Sequence, residues 1–379
     1  MLNPIKYIDK QRDSIIKTYH DLHSLAEPSW QEKKTSDYLL KSLKEAGLKV
    51  KTFQGHYGIV AEIPGRLNRV VALRADMDAL LQEVDEELKP NHSCGHDAHS
   101  TMVLYTALAI SQSGVQPNHT LRFIFQPAEE KGEGALKMIE DGALEEVTYL
   151  FGLHLRPEKE VPYGKASPVI IHGAAETIRG TIKGAQAHAS RPEEGINAIE
   201  AATLLVQKLQ QIYLDLPCET SYSIKMTQLQ TENKASNVIP ETASFSIDVR
   251  SQTNEVMNKL NNYANEIFEQ TEQQTGVAIS SCIKEFVPAA VTNGNAIKIA
   301  ESAIDRVLGK GNIIPVCVSL GGEDFHFYTV QNQGVLATMI GLGCGLKPGL
   351  HHPQMEFNLE ALHYGTKILI QTILLASEE

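Results

Sequence analysis

Nine consecutive residues, Asn91-His92-Ser93-Cys94-Gly95-His96-Asp97-Ala98-His99, carry three imidazoles, a thiol and a carboxylate. Thiolate, imidazole and carboxylate are the side chains that hold first-row divalent metals, so the cluster points to metal chemistry. Cys94 and His96 flank a glycine and can approach one ion from a single short loop. A lone cysteine is commonly a small buried hydrophobe, but the polar neighbours of Cys94 favour the ligand reading. His92 and His99 read as neighbours of the site, because a histidine beside a metal loop more often orients a ligand or faces water. Asp97 fits two roles, orienting a ligand or bridging. A second element is Gln126-Pro127-Ala128-Glu129-Glu130. Adjacent glutamates are ordinarily a solvated surface. These follow an apolar strand, where neighbouring carboxylates can point different ways, one to bind a metal and the other to act as a base. His154 follows the apolar run 149–153, where a histidine is as readily a hydrogen-bonded core residue as a ligand. His351 and His352 add a distant imidazole source.

Elements must bring these residues together. Residues 70–75 and 120–125 read as short apolar strands, and 101–113 between them has helical periodicity ended by Gly114. Helical spacing also marks 5–25, 35–46 and 134–140, and 149–153 is a further buried strand. Strand–helix–strand repetition with apolar strands predicts an α/β fold, its mostly parallel sheet covered by helices on both faces. In such sheets functional groups gather just past the carboxyl ends of the strands. Asp76, Asp78, Glu129, Glu130 and His154 all fall there. After Ser167 the rhythm changes. Strand patterns at 176–183, 221–229, 242–249 and 277–283 enclose helices at 196–213 and 254–272, the β-α-β-β-α-β order of a ferredoxin-like α+β unit. The α/β pattern then resumes, with helices at 295–307 and 359–375 and strands at 313–318 and 335–340. The expected organisation is a first part of one domain at 1–170, an inserted domain at 171–286, and the second part at 287–379.

Composition narrows the class. The 379 residues hold 34 basic and 46 acidic side chains, a formal charge of −12. That argues against a nucleic-acid or anionic-membrane partner. Five scattered cysteines (Cys94, Cys218, Cys282, Cys317, Cys344) do not suggest a disulfide framework and fit a reducing compartment. Met1-Leu2-Asn3-Pro4-Ile5-Lys6 lacks a cationic-then-apolar signal pattern. No apolar run reaches the roughly 18 residues of a membrane span. A cytoplasmic protein is expected.

The chain resembles a known family. Ala75-Asp76-Met77-Asp78-Ala79-Leu80, Cys94-Gly95-His96-Asp97-Ala98-His99, Gln126-Pro127-Ala128-Glu129-Glu130, Gly152-Leu153-His154-Leu155, Ala187-His188-Ala189-Ser190 and Gly322-Glu323-Asp324-Phe325 look like the M20 metallopeptidases. The match is nearest to their amidohydrolase subfamily of aminoacylases, hippurate hydrolases and indoleacetyl-amino acid hydrolases. The resemblance covers nearly the whole chain in order. It implies a zinc-peptidase-like catalytic domain split by a lid or dimerisation domain, and a homodimer formed through that lid. It makes Cys94, His96, Glu130, His154 and His351 the ligands of two divalent ions. Manganese, zinc, cobalt and nickel all suit that donor set. Glu129 becomes the general base, Asp78 a residue near the metals, and His188 an oxyanion donor supplied across the dimer. Asn237 and Arg250 resemble lid residues that contact the substrate carboxylate. The implied activity is cleavage of the amide bond of a small N-acylated amino acid. The alternatives are dipeptidase or carboxypeptidase action, or a catalytically silent metal-binding sensor. Some segments depart from the family pattern. No proline follows Asp-Ala-Leu, since Leu80 leads into Leu81-Gln82-Glu83, and Ser190-Arg191-Pro192-Glu193 follows Ala189. His352 and Gln354-Met355 stand where the family often has Asn or Ser and an aromatic pair.

Overall fold

The computed structural model describes residues 3–215, 221–231 and 235–379. Met1, Leu2 and Cys218 lie outside them. Contacts divide the chain into two compact units: Met1–Ile171 with Val291–Ser319 and Asp324–Glu379, and His172–Ala290 with Leu320–Glu323.

The first unit opens with two helices, α1 (Pro4–Asp9) and α2 (Arg12–Ser24), where one helix was expected over 5–25. The side chain of Asn3 caps α1, and Lys10 ends it. Helix α3 (Lys33–Glu45) follows. The strands β1 (Lys49–Thr52), β2 (Ile59–Ile63), β3 (Leu67–Asp76), β6 (His119–Gln126), β7 (Val147–Pro157) and β8 (Ala166–Ser167) join Leu336–Leu346 in one sheet, while β4 (Leu80–Val84) and β5 (Glu87–Asn91) form a separate hairpin. The seven-stranded order is β1, β2, β6, β3, β7, Leu336–Leu346, β8. β6, β3, β7 and Leu336–Leu346 pair in parallel, whereas β1, β2 and β8 join antiparallel. The sheet is therefore mixed rather than mostly parallel. The parallel centre is the part buried on both faces, as in Val70, Val71, Ala72 and Leu73. The edge strand β1 is largely exposed and polar, and that sequence carries no parallel-strand signal.

Helix α4 (His96–Ser113) is buried along nearly its whole length. It begins at His96 rather than at Thr101, because its first turn, His-Asp-Ala-His, shows no apolar periodicity. Gly95 at φ 89° and Gly114 at φ 68° bound it. A Cβ on Gly95 would also lie 2.9 Å from a methyl of Leu155. Met102, Leu104 and Ile110 of α4 share one core with Leu73, Phe123, Phe151, Ile340 and, from the helix Glu360–Ala376, Ile368 and Ile373. Each such side chain contributes about 1.5–3 kcal/mol by burial. That core holds the strand ends and the start of α4 in fixed register. Helix α5 (Gly134–Glu140) follows β6 after a short 3-10 turn at Glu129–Lys131.

In the second unit the chain order is strand, helix, strand, strand, helix, strand. The sheet order is Tyr222–Thr231, Thr242–Ser251, Ala174–Lys183, Ala278–Val287, all antiparallel. The helices Ala198–Asp215 and Asn254–Thr275 share its core, with Leu205, Leu209, Leu260 and Ile267 against Ile178, Phe245 and Ile247. Among the described residues no helix is long and apolar enough to cross a membrane.

Candidate metal centre

Five parts of the first unit supply the site. β3 runs into Asp76 and Asp78. The turn after β6 carries Glu129 and Glu130. The loop leading into α4 carries Cys94, α4 begins at His96, and the loop after Leu336–Leu346 carries His351. His154 sits inside β7, which continues to Pro157, so it is a mid-strand residue and not one just past the strand end. Ala128 turns the chain out of β6 with φ 52°, and His351 also has a left-handed backbone, φ 63°.

The donor atoms face one another. Cys94 Sγ lies 3.3 Å from His351 Nε2 and 3.6 Å from His154 Nε2. Glu130 Oε1 is 3.6 Å from His351 Nε2 and 3.9 Å from His96 Nε2, and Glu129 Oε2 is 3.8 Å from His96 Nε2. His96 Nδ1 contacts the Asp78 carbonyl at 3.0 Å and Asp78 Oδ1 at 3.1 Å. Both are acceptors, so Nδ1 carries a proton and Nε2 faces the cluster. His154 is set the same way: Nδ1–H donates to Leu155 O at 2.7 Å, and Nε2 turns to Cys94. Backbone and carboxylate acceptors behind metal-binding imidazoles fix the ring and its tautomer in this manner.

His99 is differently engaged. Its Nδ1 donates to Asp76 Oδ1 at 2.8 Å, and its Nε2 accepts the Leu155 N–H at 3.0 Å. No lone pair remains for an ion. His92 is buried, and neither ring nitrogen has a hydrogen-bond partner. Asp97 accepts from His23 Nδ1 at 2.7 Å and from the Ala98 N–H, a positioning arrangement within the first turn of α4.

Burial governs the electrostatics. It raises the Glu130 carboxyl to about 7, with the charges of Asp78 and Asp76 adding to the effect against His96. Burial likewise pushes the Cys94 thiol well up, and pushes His154 and His351 down. At His96 burial opposes the charge, but Asp76, Cys94 and the Asp78 hydrogen bond together outweigh it and raise the imidazole. Glu130, Cys94 and His96 thus hold on to protons in the absence of another cation. A divalent ion replaces those protons, which is the behaviour of a metal site. His96 Nε2 and Glu130 Oε1 are buried and make no hydrogen bond, the imidazole and carboxylate atoms opposite them standing 3.6–3.9 Å away. Buried polar atoms without partners are rare, and here they lie among a thiol, imidazoles and carboxylates. That donor set fits divalent metal.

Several supporting residues carry only weak sequence signals. Asp78 Oδ2 accepts the Ser29 hydroxyl at 2.6 Å and the Glu130 N–H at 3.0 Å, so one carboxylate serves both His96 and Glu130. Glu129 Oε1 accepts the Asp324 N–H at 3.3 Å. Buried Arg74 bonds Asp76 Oδ2 at 2.6 Å, Asp324 Oδ1 at 2.8 Å and Gln126 Oε1 at 2.8 Å, tying the ends of β3 and β6 to the 3-10 turn Asp324–His326. An arginine inside Val70-Val71-Ala72-Leu73-Arg74-Ala75 is the one legible trace of this network.

The remaining predicted residues belong to the second unit. His188 is exposed and lies on a two-residue strand paired with Val238. The Ser190 N–H donates to His188 Nδ1 at 3.1 Å, which leaves the ring proton on Nε2. Asn237 is exposed, and its carbonyl accepts the Ala189 N–H at 2.9 Å. Arg250 is half-buried and bonded to Asp248 at 2.9 Å.

Comparison with known proteins gives the class. The family described as Peptidase family M20/M25/M40 matches residues 72–375. The chain belongs to that family. It is 31% identical over 369 residues to a probable hydrolase of Synechocystis sp., covering 94% of this chain and 93% of the relative. It is 29% identical over 381 residues to the N-acetylcysteine deacetylase of Bacillus subtilis, covering 96% and 97% respectively. Among solved structures, the Bacillus subtilis YXEP protein, described as a dinuclear metal-binding peptidase from the M20 family, superposes with a TM-score of 0.81 at 26% identity, over 98% of this chain and 99% of that one.

Proposed function

We propose that this chain is a metal-dependent amidohydrolase that cleaves the amide bond of small N-acylated amino acids. The observation carrying this reading is the convergence of Cys94, His96, Glu130, His154 and His351, with buried Nε2 and Oε1 atoms left unpaired, beside a second carboxylate, Glu129. The deacetylase named among the relatives supports the substrate class. Two divalent ions held by those five residues would supply Lewis acidity, lowering the pKa of a water and polarising the scissile carbonyl. Manganese, zinc, cobalt and nickel all fit the mixed sulfur, nitrogen and oxygen donors.

Glu129 takes the proton of the attacking water and later delivers it to the leaving amine. The Asp324 N–H on Oε1 orients that carboxylate, and Oε2 is the oxygen nearest His96. Asp78 acts through others, fixing His96 by its ring N–H and Glu130 by its backbone N–H. The second unit acts as lid and as the interface of a homodimer. The partner subunit's His188 donates Nε2–H to the developing oxyanion, a role that the Ser190 N–H on Nδ1 supports. Asn237 and Arg250 receive the substrate carboxylate. A ligand thiol at Cys94 suits a reducing, cytoplasmic setting.

A panel of N-acetyl and N-benzoyl amino acids, run beside dipeptides on the metal-loaded protein, tests this. Turnover of the acyl amino acids supports the reading, and turnover of dipeptides alone replaces it with peptidase action. Metal uptake without turnover of either class identifies a silent metal-binding protein.

A further inference from the structure

The hairpin of β4 and β5 was not expected from the sequence, and one face of it reaches the loop that carries His351. Gln82 Nε2 donates to the His351 carbonyl at 2.8 Å. Gln82 Oε1 accepts the Ser93 hydroxyl at 2.7 Å and Asn91 Nδ2 at 3.2 Å. The amide orientation is forced, because the His351 carbonyl only accepts and the Asn91 amide nitrogen only donates. Asn91 Nδ2 also reaches Pro353 O at 3.0 Å, and the His351 N–H donates to Ser93 O at 2.8 Å. Both backbone polar groups of His351 are thereby held by the segment 82–93.

His351 needs such support more than the other candidate ligands. Its side chain is 54% exposed, whereas that of His96 is 1% exposed. It stands in a loop, and its φ of 63° is a conformation that non-glycine residues leave readily unless the surroundings hold it. The buried ligands are fixed by packing and by the acceptors behind their rings. Among the described residues no acceptor stands behind the His351 ring, so its backbone is the available handle.

We propose that Gln82 is a positioning residue for the metal centre. It locks the His351 carbonyl and, through Ser93 and Asn91, joins that loop to the Cys94 loop, so that His351 Nε2 stays 3.3 Å from Cys94 Sγ. This inference rests on the metal-centre reading above. Outer contacts that orient ligands are typically worth 10- to 100-fold in metal affinity, and the loss here falls on one of the two ions.

The test uses the full chain stripped of metal and titrated with Co(II), following thiolate-to-cobalt absorption and bound cobalt by equilibrium dialysis. Gln82→Ala weakens one cobalt step 10- to 100-fold and leaves the other unchanged. Gln82→Glu keeps the acceptor for Ser93 and Asn91 but cannot donate to the His351 carbonyl, and it shows the same weakening. In a His351→Ala background, Gln82→Ala adds no further loss, because the imidazole that the Gln82–carbonyl contact positions is already gone. Wild-type cobalt affinity in either Gln82 variant, or a full additive loss in the His351→Ala background, overturns the role of Gln82 alone. A parent chain that takes up no cobalt overturns the metal-centre reading and this inference with it.

Discussion

Glu32 Oε1 accepts the backbone N–H of Ala128 at 2.8 Å, and it accepts the Trp30 N–H at 2.9 Å as well. Ala128 and Trp30 both have left-handed backbones, φ 52° and 67°. One buried oxygen therefore steadies two turns that would each cost about 1–2 kcal/mol for a residue with a Cβ, and one of them presents Glu129 and Glu130. Glu32→Ala leaves a fully buried N–H at Ala128 unpaired and is expected to lower stability by about 2 kcal/mol or more. Glu32→Gln keeps the oxygen and is expected to stay within about 1 kcal/mol of the parent near pH 7. Urea denaturation of the three proteins measures both. Equal stability of the alanine variant and the parent contradicts the role given to Glu32.

The same carboxyl makes a pH-dependent contribution. Burial raises Glu32 from its ordinary value near 4.5 to about 7. A carboxyl raised on folding binds its proton more tightly in the folded chain than in the unfolded one. Its contribution is full below about pH 4.5 and declines as pH rises to about 7, by about 3 kcal/mol in all. Glutamine has no proton to lose there. The stability of the parent relative to Glu32→Gln should thus fall between pH 4.5 and pH 7 and be flat above about pH 8. A difference independent of pH, measured by denaturant titration across this window, counts against a raised Glu32.

Much of this was legible in the residues and some was not. Cys94 and His96 announce themselves by type and spacing, and the parallel strands by their unbroken apolar runs. The mixed edges of the sheet were hidden, because Lys49–Thr52 is a short polar strand whose pairing depends on its neighbours and not on its own pattern. The apolar periodicity of α4 starts five residues late, since its first turn, His96-Asp97-Ala98-His99, is mostly polar. Glu32 is the N-cap of α3, yet its carboxylate turns away to Ala128, and Glu27 accepts the Lys34 and Thr35 N–H groups instead. A contact across 96 positions of sequence leaves no local trace. The hairpin that carries Gln82 leaves no turn signal in the sequence, because Asp85-Glu86 takes positive φ at both residues without a glycine to mark it.

His99 separates structural from ligating histidines. Its two nitrogens are satisfied by Asp76 and the Leu155 N–H. His99→Ala leaves a buried carboxylate oxygen and a buried N–H unpaired, so stability should fall by about 2–4 kcal/mol. Metal stoichiometry in the folded variant should remain that of the parent. Loss of one ion per chain, read by elemental analysis, restores His99 to the ligand set.

Metal uptake should release protons. Glu130, raised to about 7 by burial, and Cys94, raised further, both carry protons in the metal-free protein at pH 6. An arriving divalent ion displaces them. Calorimetric titration in buffers of different ionisation enthalpy should give a release larger at pH 6 than at pH 8.5, because Glu130 has already lost its own proton at the higher pH. A release that is zero, or that does not change with pH, contradicts the assignment of Glu130 as a ligand.

The most direct measurement is the release of free amino acid from N-acetyl amino acids by the metal-reconstituted chain, compared with its Glu129→Gln variant at equal metal content. Turnover by the parent, with kcat/KM reduced about 10²- to 10⁴-fold in Glu129→Gln, is the predicted result. No turnover by the fully loaded parent, or the same rate in both proteins, contradicts the account.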